Sequence, residues 1–163
     1  MNCIKKQRII AVICIIVAIS TTACSSGAGT MEGTLENYFD AIVNYDVQKY
    51  TYSMLPKNEI EKSLDNSCMT EEEYWELQRK YMESNDPVVH NDITITNKDE
   101  VDESSIENME QKLYDRLNID VDITEAYDWV EFEYVNDEGS ADYGYIPTMY
   151  KTGGSWYIYP EIR

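Results

Sequence analysis

The spacing of the apolar residues divides this chain into two parts and limits the folds that it can adopt. Up to residue 82 they recur every three or four positions, as in the stripe Leu35–Val43, which is typical of a helix face. After residue 122 they alternate with polar residues, which is typical of strands. One strand around Ile93 and Ile95 and one helix lie between these parts. Helices followed by an antiparallel sheet predict an α+β domain.

Capping residues predict where the helices begin. Thr34 and Asp46 are expected N-caps of the first two helices. Thr70 and Glu73 have the spacing of a capping box, and a second box is expected at Ser104–Glu107.

The last forty residues predict a three-stranded meander. The first strand carries the inward-facing Val130 and Phe132, and the last carries the inward-facing Trp156 and Ile158. Gly153–Gly154 predicts a tight hairpin between the second and third of these strands.

The N-terminus has the pattern of a secretory signal. Lys5, Lys6 and Arg8 precede an apolar run without charge, Ile9–Ile19. This run has about eleven residues, whereas a membrane-spanning helix needs about 20. A signal peptide is therefore expected rather than a permanent transmembrane helix.

The segment Thr21–Cys24 resembles the lipobox of bacterial lipoproteins, with Thr21 where that family usually has Leu. The resemblance implies that the Cys24 thiol takes a diacylglyceryl group, that the chain is cut just before Cys24, and that the new N-terminus is open to acylation, for example by palmitate. Two acyl chains hold a protein stably on a membrane. We therefore expect a signal peptide (1–23), a flexible tether (24–33) and a domain (34–163), lipid-anchored on the extracytoplasmic face of the cell membrane.

The charge of the chain excludes one class of partner. It contains 31 acidic and 13 basic residues, and removal of residues 1–23, with three basic residues and no acidic one, changes the formal net charge from −18 to −21. Binding to nucleic acid depends on Lys and Arg, so no nucleic-acid partner is expected. The acidic domain should also be repelled by anionic lipids, and a flexible tether would give it a reach of about 16 Å.

Three segments of the domain resemble NTF2-like, or cystatin-like, proteins, in which a curved antiparallel sheet wraps N-terminal helices into a cone. They are Leu35–Ile42, the pair Asp46 and Tyr50, and the closing Gly153–Ile158. The resemblance implies a pocket between the helices and the sheet, which some members use for catalysis and others for binding.

No catalytic, cofactor or metal site is expected from the sequence. His90 and Asp128 are the candidates for an acid–base pair, and a surface-loop histidine is the simpler interpretation of His90. Asn118–Asp122 begins like a calcium loop, but Ile123 and Trp129 occupy the positions that need Gly and Glu. Cys68, with acidic neighbours and no base close in sequence, is expected to be a packing residue.

Tyrosine is unusually common, with 14 residues against 2 Phe. It suits surfaces that are apolar on one side and polar at the tip. Alternation along the strands predicts a candidate binding face that comprises Trp129, Glu131, Glu133, Tyr157 and Tyr159.

The functional prediction is a non-enzymatic binding module for a protein, a peptide or a cell-envelope component, with a homodimer through the sheet as a further partner. The alternative is a small pocket enzyme of the NTF2-like type, a hydrolase or an isomerase.

Overall fold

A computed structural model describes residues 27–67, 69–85 and 87–160. The elements in these ranges are α1 (Met31–Val43), α2 (Val47–Tyr52), α3 (Lys57–Asp65), α4 (Glu71–Met82), β1 (Asn91–Glu100), α5 (Glu103–Leu117), β2 (Glu125–Val135), β3 (Ala141–Thr152) and β4 (Ser155–Ile158). The strands form one antiparallel sheet in the order β1–β2–β3–β4, which does not close on itself. The predicted α+β architecture is therefore confirmed. None of the helices in the described ranges is long and apolar enough to cross a bilayer.

Two of the predicted caps are confirmed. The Asp46 carboxylate accepts a hydrogen bond from the Lys49 N–H and begins α2. Thr70 and Glu73 form the predicted capping box at the start of α4, each side chain accepting from the other residue's backbone N–H.

Two other predicted caps are wrong. Thr30, not Thr34, caps α1, and its hydroxyl accepts from the Gly33 N–H. Asp102 caps α5 in place of Ser104, whose hydroxyl instead donates to the Asp102 carboxylate at 2.6 Å. This bond, with others from the same turn, lowers the pKa of Asp102 to about 2. In each case a capping acceptor upstream replaces the predicted cap, four residues before Thr34 and two residues before Ser104.

Part of the predicted tether belongs to the folded domain. The Trp156 N–H donates to the Ala28 carbonyl at 2.9 Å, so that residue 28 pairs with β4. The buried Thr34 hydroxyl accepts from the Ala28 N–H at 3.3 Å and donates to the Trp156 carbonyl at 3.0 Å. A Cβ atom on Gly27 would lie 2.9 Å from the same carbonyl, so this backbone passes closely over β4. The folded domain therefore includes residues 27–33, which were predicted to belong to the tether.

Two apolar clusters cover opposite sides of the sheet. The first packs α1, through Met31 and Leu35, onto the strands, and it contains the four residues that were predicted to face inward, Val130, Phe132, Trp156 and Ile158. The second packs α3 and α5 onto the strands, and its central residues are Ile60, Leu113, Ala126, Tyr150 and Tyr157. The region around β4 is consequently covered from both sides.

The alternation of β2 is interrupted at Trp129. Tyr127 and Val130 pack in the same cluster although they are three residues apart, and the neighbouring Ala126 belongs to the other cluster. Trp129, which lies between Tyr127 and Val130, has a φ of 49°. It lies opposite Pro147 of β3, which has no N–H to pair. The side chains of β2 therefore change sides of the sheet at Trp129. Beyond this residue, the C-terminal end of β2 and the N-terminal end of β3 have one uncovered face.

Candidate functional site

Three large aromatic side chains lie on the uncovered part of the sheet, and we call them the aromatic face. The exposed fractions are 61% for Trp129, 71% for Tyr143 and 59% for Tyr145. Isolated exposed aromatic residues are common, whereas a group on adjacent strands is typical of binding surfaces.

The strands hold this face in a defined geometry. Trp129 comes from β2 and the two tyrosines from β3, on alternate residues. The Trp129 and Tyr145 rings stack, with centroids 5.8 Å apart and planes 26° from parallel. The positive φ of Trp129 is uncommon for a bulky residue and indicates a backbone that its surroundings hold in place.

Carboxylates flank the aromatic face. Glu131 pairs in register with Tyr145, and Glu133 pairs with Tyr143. Directly opposed residues of an antiparallel pair have side chains on the same face of the sheet. The surface therefore combines flat apolar rings with negative charge.

The structure contradicts one member of the predicted face. Tyr157 is only 4% exposed, and its ring stacks on Tyr150 at 5.5 Å between centroids. Alternation predicted exposure because one face of a meander was expected to be open, but α3 and α5 cover that side of β4.

Tyr159 is not on the aromatic face either. It lies half-buried after β4 and its hydroxyl donates to the Met109 carbonyl at 3.1 Å. Burial raises its pKa to about 12. Tyr143 and Tyr145 take the places of Tyr157 and Tyr159. The alternation of tyrosines around Gly144 was the signal that would have identified them.

A cleft of about 1150 Å³ opens between the helices and the β3–β4 end of the sheet. Leu55, Ile60, Ile146 and Ile158 form its apolar wall. Tyr74 and Gln78 project into it from one side of α4, since they are four residues apart.

The lining of the cleft, as far as the chain is described, contains no Asp, Glu or His. Its two charged residues are Lys80 and Arg116. The enzyme alternative needs a carboxylate or a His–Asp pair in such a pocket. The described lining does not supply one.

His90 is part of an aromatic cluster. Its ring stacks on Phe39 at 3.7 Å and lies 4.0 Å from Tyr134. One ring nitrogen, Nδ1, lies 2.7 Å from the Val88 carbonyl. Burial lowers the pKa of His90, against a smaller opposing effect of that contact.

Asp128 is remote from His90. Its carboxylate accepts a hydrogen bond from the Thr148 hydroxyl at 2.6 Å. Asn91, the neighbour of His90, pairs with Val135 at the far end of β2. Seven residues of strand correspond to about 23 Å. The two residues therefore cannot act together as an acid–base pair.

The segment that begins like a calcium loop ends a helix. Asn118 is the left-handed C-cap of α5, with a φ of 53°. No group of three metal-ligating side chains occurs within the described ranges. Cys24, the predicted lipidation site, and Cys68 lie outside these ranges.

Compared with protein-family models, curated proteins and solved structures, the chain gives no significant match in any of the three. The functional argument therefore depends on the chain's own residues.

Proposed function

We propose that the chain is a lipoprotein, anchored through Cys24 on the extracytoplasmic face of the membrane, whose domain binds a basic segment of a partner protein. The anchor is supported by the signal pattern and the Thr21–Cys24 segment. The observation that carries the binding role is the aromatic face, in which Trp129, Tyr143 and Tyr145 are each more than half exposed.

Charge complementarity supports a basic partner. The chain has a formal net charge of −18, and Glu131 and Glu133 border the exposed rings. Trp and Tyr rings attract Lys and Arg side chains through cation–π contacts of about 0.5–1 kcal/mol each at exposed sites. A second copy of the chain would bring its own glutamates against these glutamates, so the same charges disfavour a homodimer through this face.

We also propose that the domain is a small relative of the NTF2-like fold. The packing of α1 across an antiparallel sheet supports this relationship. The second cluster, under α3 and α5, is an addition to that arrangement. A crystal structure whose sheet and first helix superpose on an NTF2-like protein would support the assignment, and a different strand order would overturn it.

The anchor is tested by mass spectrometry of the mature N-terminus. We expect a first residue Cys24 that carries a diacylglyceryl group, and loss of membrane retention in Cys24→Ala. An unmodified Cys24, or full retention of Cys24→Ala, would refute the lipoprotein proposal.

The binding role is tested with a labelled peptide of alternating Lys and Ser, next to a Glu/Ser peptide of equal length. We expect the full chain to bind the basic peptide and not the Glu/Ser peptide. The double variant Trp129→Ala/Tyr145→Ala should weaken binding of the basic peptide about tenfold, because two cation–π contacts are lost. Tyr114→Ala is the matched control, because Tyr114 is 54% exposed on α5, away from the sheet face. Two results would contradict the proposal. One is an equal loss of peptide affinity in Tyr114→Ala and in the double variant, and the other is a homodimer of the chain that Trp129→Ala dissociates.

A further inference from the structure

The cleft between the helices and β4 is built like a ligand site. Ligand pockets are typically about 300–1000 Å³, with apolar walls and a few polar groups. The cleft has about 1150 Å³, and side chains from α1 to α5 and from β3 and β4 contribute to it. It shares no residue with the aromatic face.

The charge of the lining is opposite to that of the chain. With 31 acidic residues among 163, about four of the 21 lining positions would be Asp or Glu, yet none is. Lys80 and Arg116 lie in the last turns of α4 and α5, where the helix dipole favours a cation. The dipole explains their sign but not the absence of Asp and Glu from the described lining. The cleft is therefore electropositive relative to the rest of the surface.

Several donors in the cleft have no described partner. The Arg116 guanidinium makes no ion pair or hydrogen bond with any described residue, and neither does the half-buried Gln78 amide. Lys80 is held only loosely, 3.7 Å from Glu76. Burial and the nearby Tyr52 raise the pKa of Tyr74, so its hydroxyl stays protonated and able to donate.

We propose that this cleft binds a small molecule with an apolar body and one carboxylate. The apolar body lies against Leu55, Ile60 and Ile119, on the side of the sheet that α5 covers, and the carboxylate takes hydrogen bonds from Arg116 and the Gln78 amide. Arginine suits this role because its planar fork matches the two oxygens of a carboxylate. The proposal is independent of the aromatic face.

The test uses three probes of one shape that differ in charge, 4-phenylbutyrate, 4-phenylbutyramide and 4-phenylbutylamine. The full chain is held in phosphatidylcholine nanodiscs, and binding is followed by ligand-observed NMR with empty nanodiscs as the blank. We expect saturable binding of the carboxylate with a Kd on the order of 1 mM, as for other ligands of this size, and at least about tenfold weaker binding of the amide and the amine.

Substitutions locate the site. Arg116→Gln should weaken carboxylate binding about tenfold, since a hydrogen bond to a charged group is lost. Lys112→Gln is the matched control, because it removes the same charge from the same helix at an exposed position outside the cleft. Gln78→Trp, which removes the amide donor and places a bulkier ring at this half-buried position in the cleft, should also weaken carboxylate binding.

Three results would overturn the proposal. They are equal affinity for the three probes, no saturable binding of the carboxylate up to about 10 mM, and equal losses in Arg116→Gln and Lys112→Gln. None of them bears on capture of the basic peptide by the aromatic face, so the two proposals fail separately.

Discussion

Replacement of Thr34 by valine should destabilise the domain far more than its position inside a helix suggests. The Thr34 hydroxyl is fully buried and links three elements, accepting from the Ala28 N–H and donating to the Trp156 carbonyl. Valine keeps the shape but leaves both backbone groups without these partners. At about 1 kcal/mol for each buried hydrogen bond, the loss is about 2 kcal/mol. For a domain of this size it corresponds to a fall in Tm of roughly 6–10 °C.

Thr51→Val is the matched control for this prediction. Thr51 is equally buried, but its hydroxyl donates at 2.8 Å to Val47, a carbonyl of the same helix that is already in place to accept the helical bond. We expect a cost below about 0.5 kcal/mol, since no buried group loses its only partner. Urea unfolding followed by tryptophan fluorescence measures both variants. If Thr34→Val costs no more than Thr51→Val, the link between α1, residue 28 and β4 is not a stabilising one.

Two further predictions concern the same domain. Gly27→Ala should destabilise it by about 1–3 kcal/mol, because the new Cβ meets the Trp156 carbonyl at 2.9 Å, whereas Gly29→Ala, with nothing within 4 Å, should be neutral in the same urea assay. Stability should also decrease as the pH falls below 6.5, because burial lowers the pKa of folded His90 and the unfolded chain then binds the additional proton. His90→Phe should remove this slope between pH 6.5 and 5, and an unchanged slope would assign the effect to other groups.

Local signals predicted much of the fold. The two-residue period placed Val130, Phe132, Trp156 and Ile158 in the core, and the structure confirms all four. Capping chemistry correctly identified the start of α2 at Asp46. These signals succeed because they depend on neighbours within a few residues.

The features of the fold and the site that were not predicted depend on contacts between distant parts of the chain. Tyr157 has the period of an exposed residue, but α3 and α5 cover that side of β4. Thr34 has the residue type of a cap, but Thr30 caps α1 instead and residue 28 pairs with Trp156, so that Thr34 lies inside the helix. The cleft combines side chains of seven elements, so no stretch of sequence reveals its charge.

The pairing of Ala28 with Trp156 has a consequence for how far an anchored domain travels. If Cys24 carries the proposed anchor, only Ser25, Ser26 and Gly27 separate the anchor from this pair. Four residue steps span at most about 14 Å, even when fully extended. The domain then searches a small volume next to the bilayer, in which partners anchored in the same membrane have a high effective concentration. Targets farther from the membrane surface lie beyond the reach of the domain. The short connection therefore restricts the partners to those close to the membrane, whatever the side chains of the domain could bind.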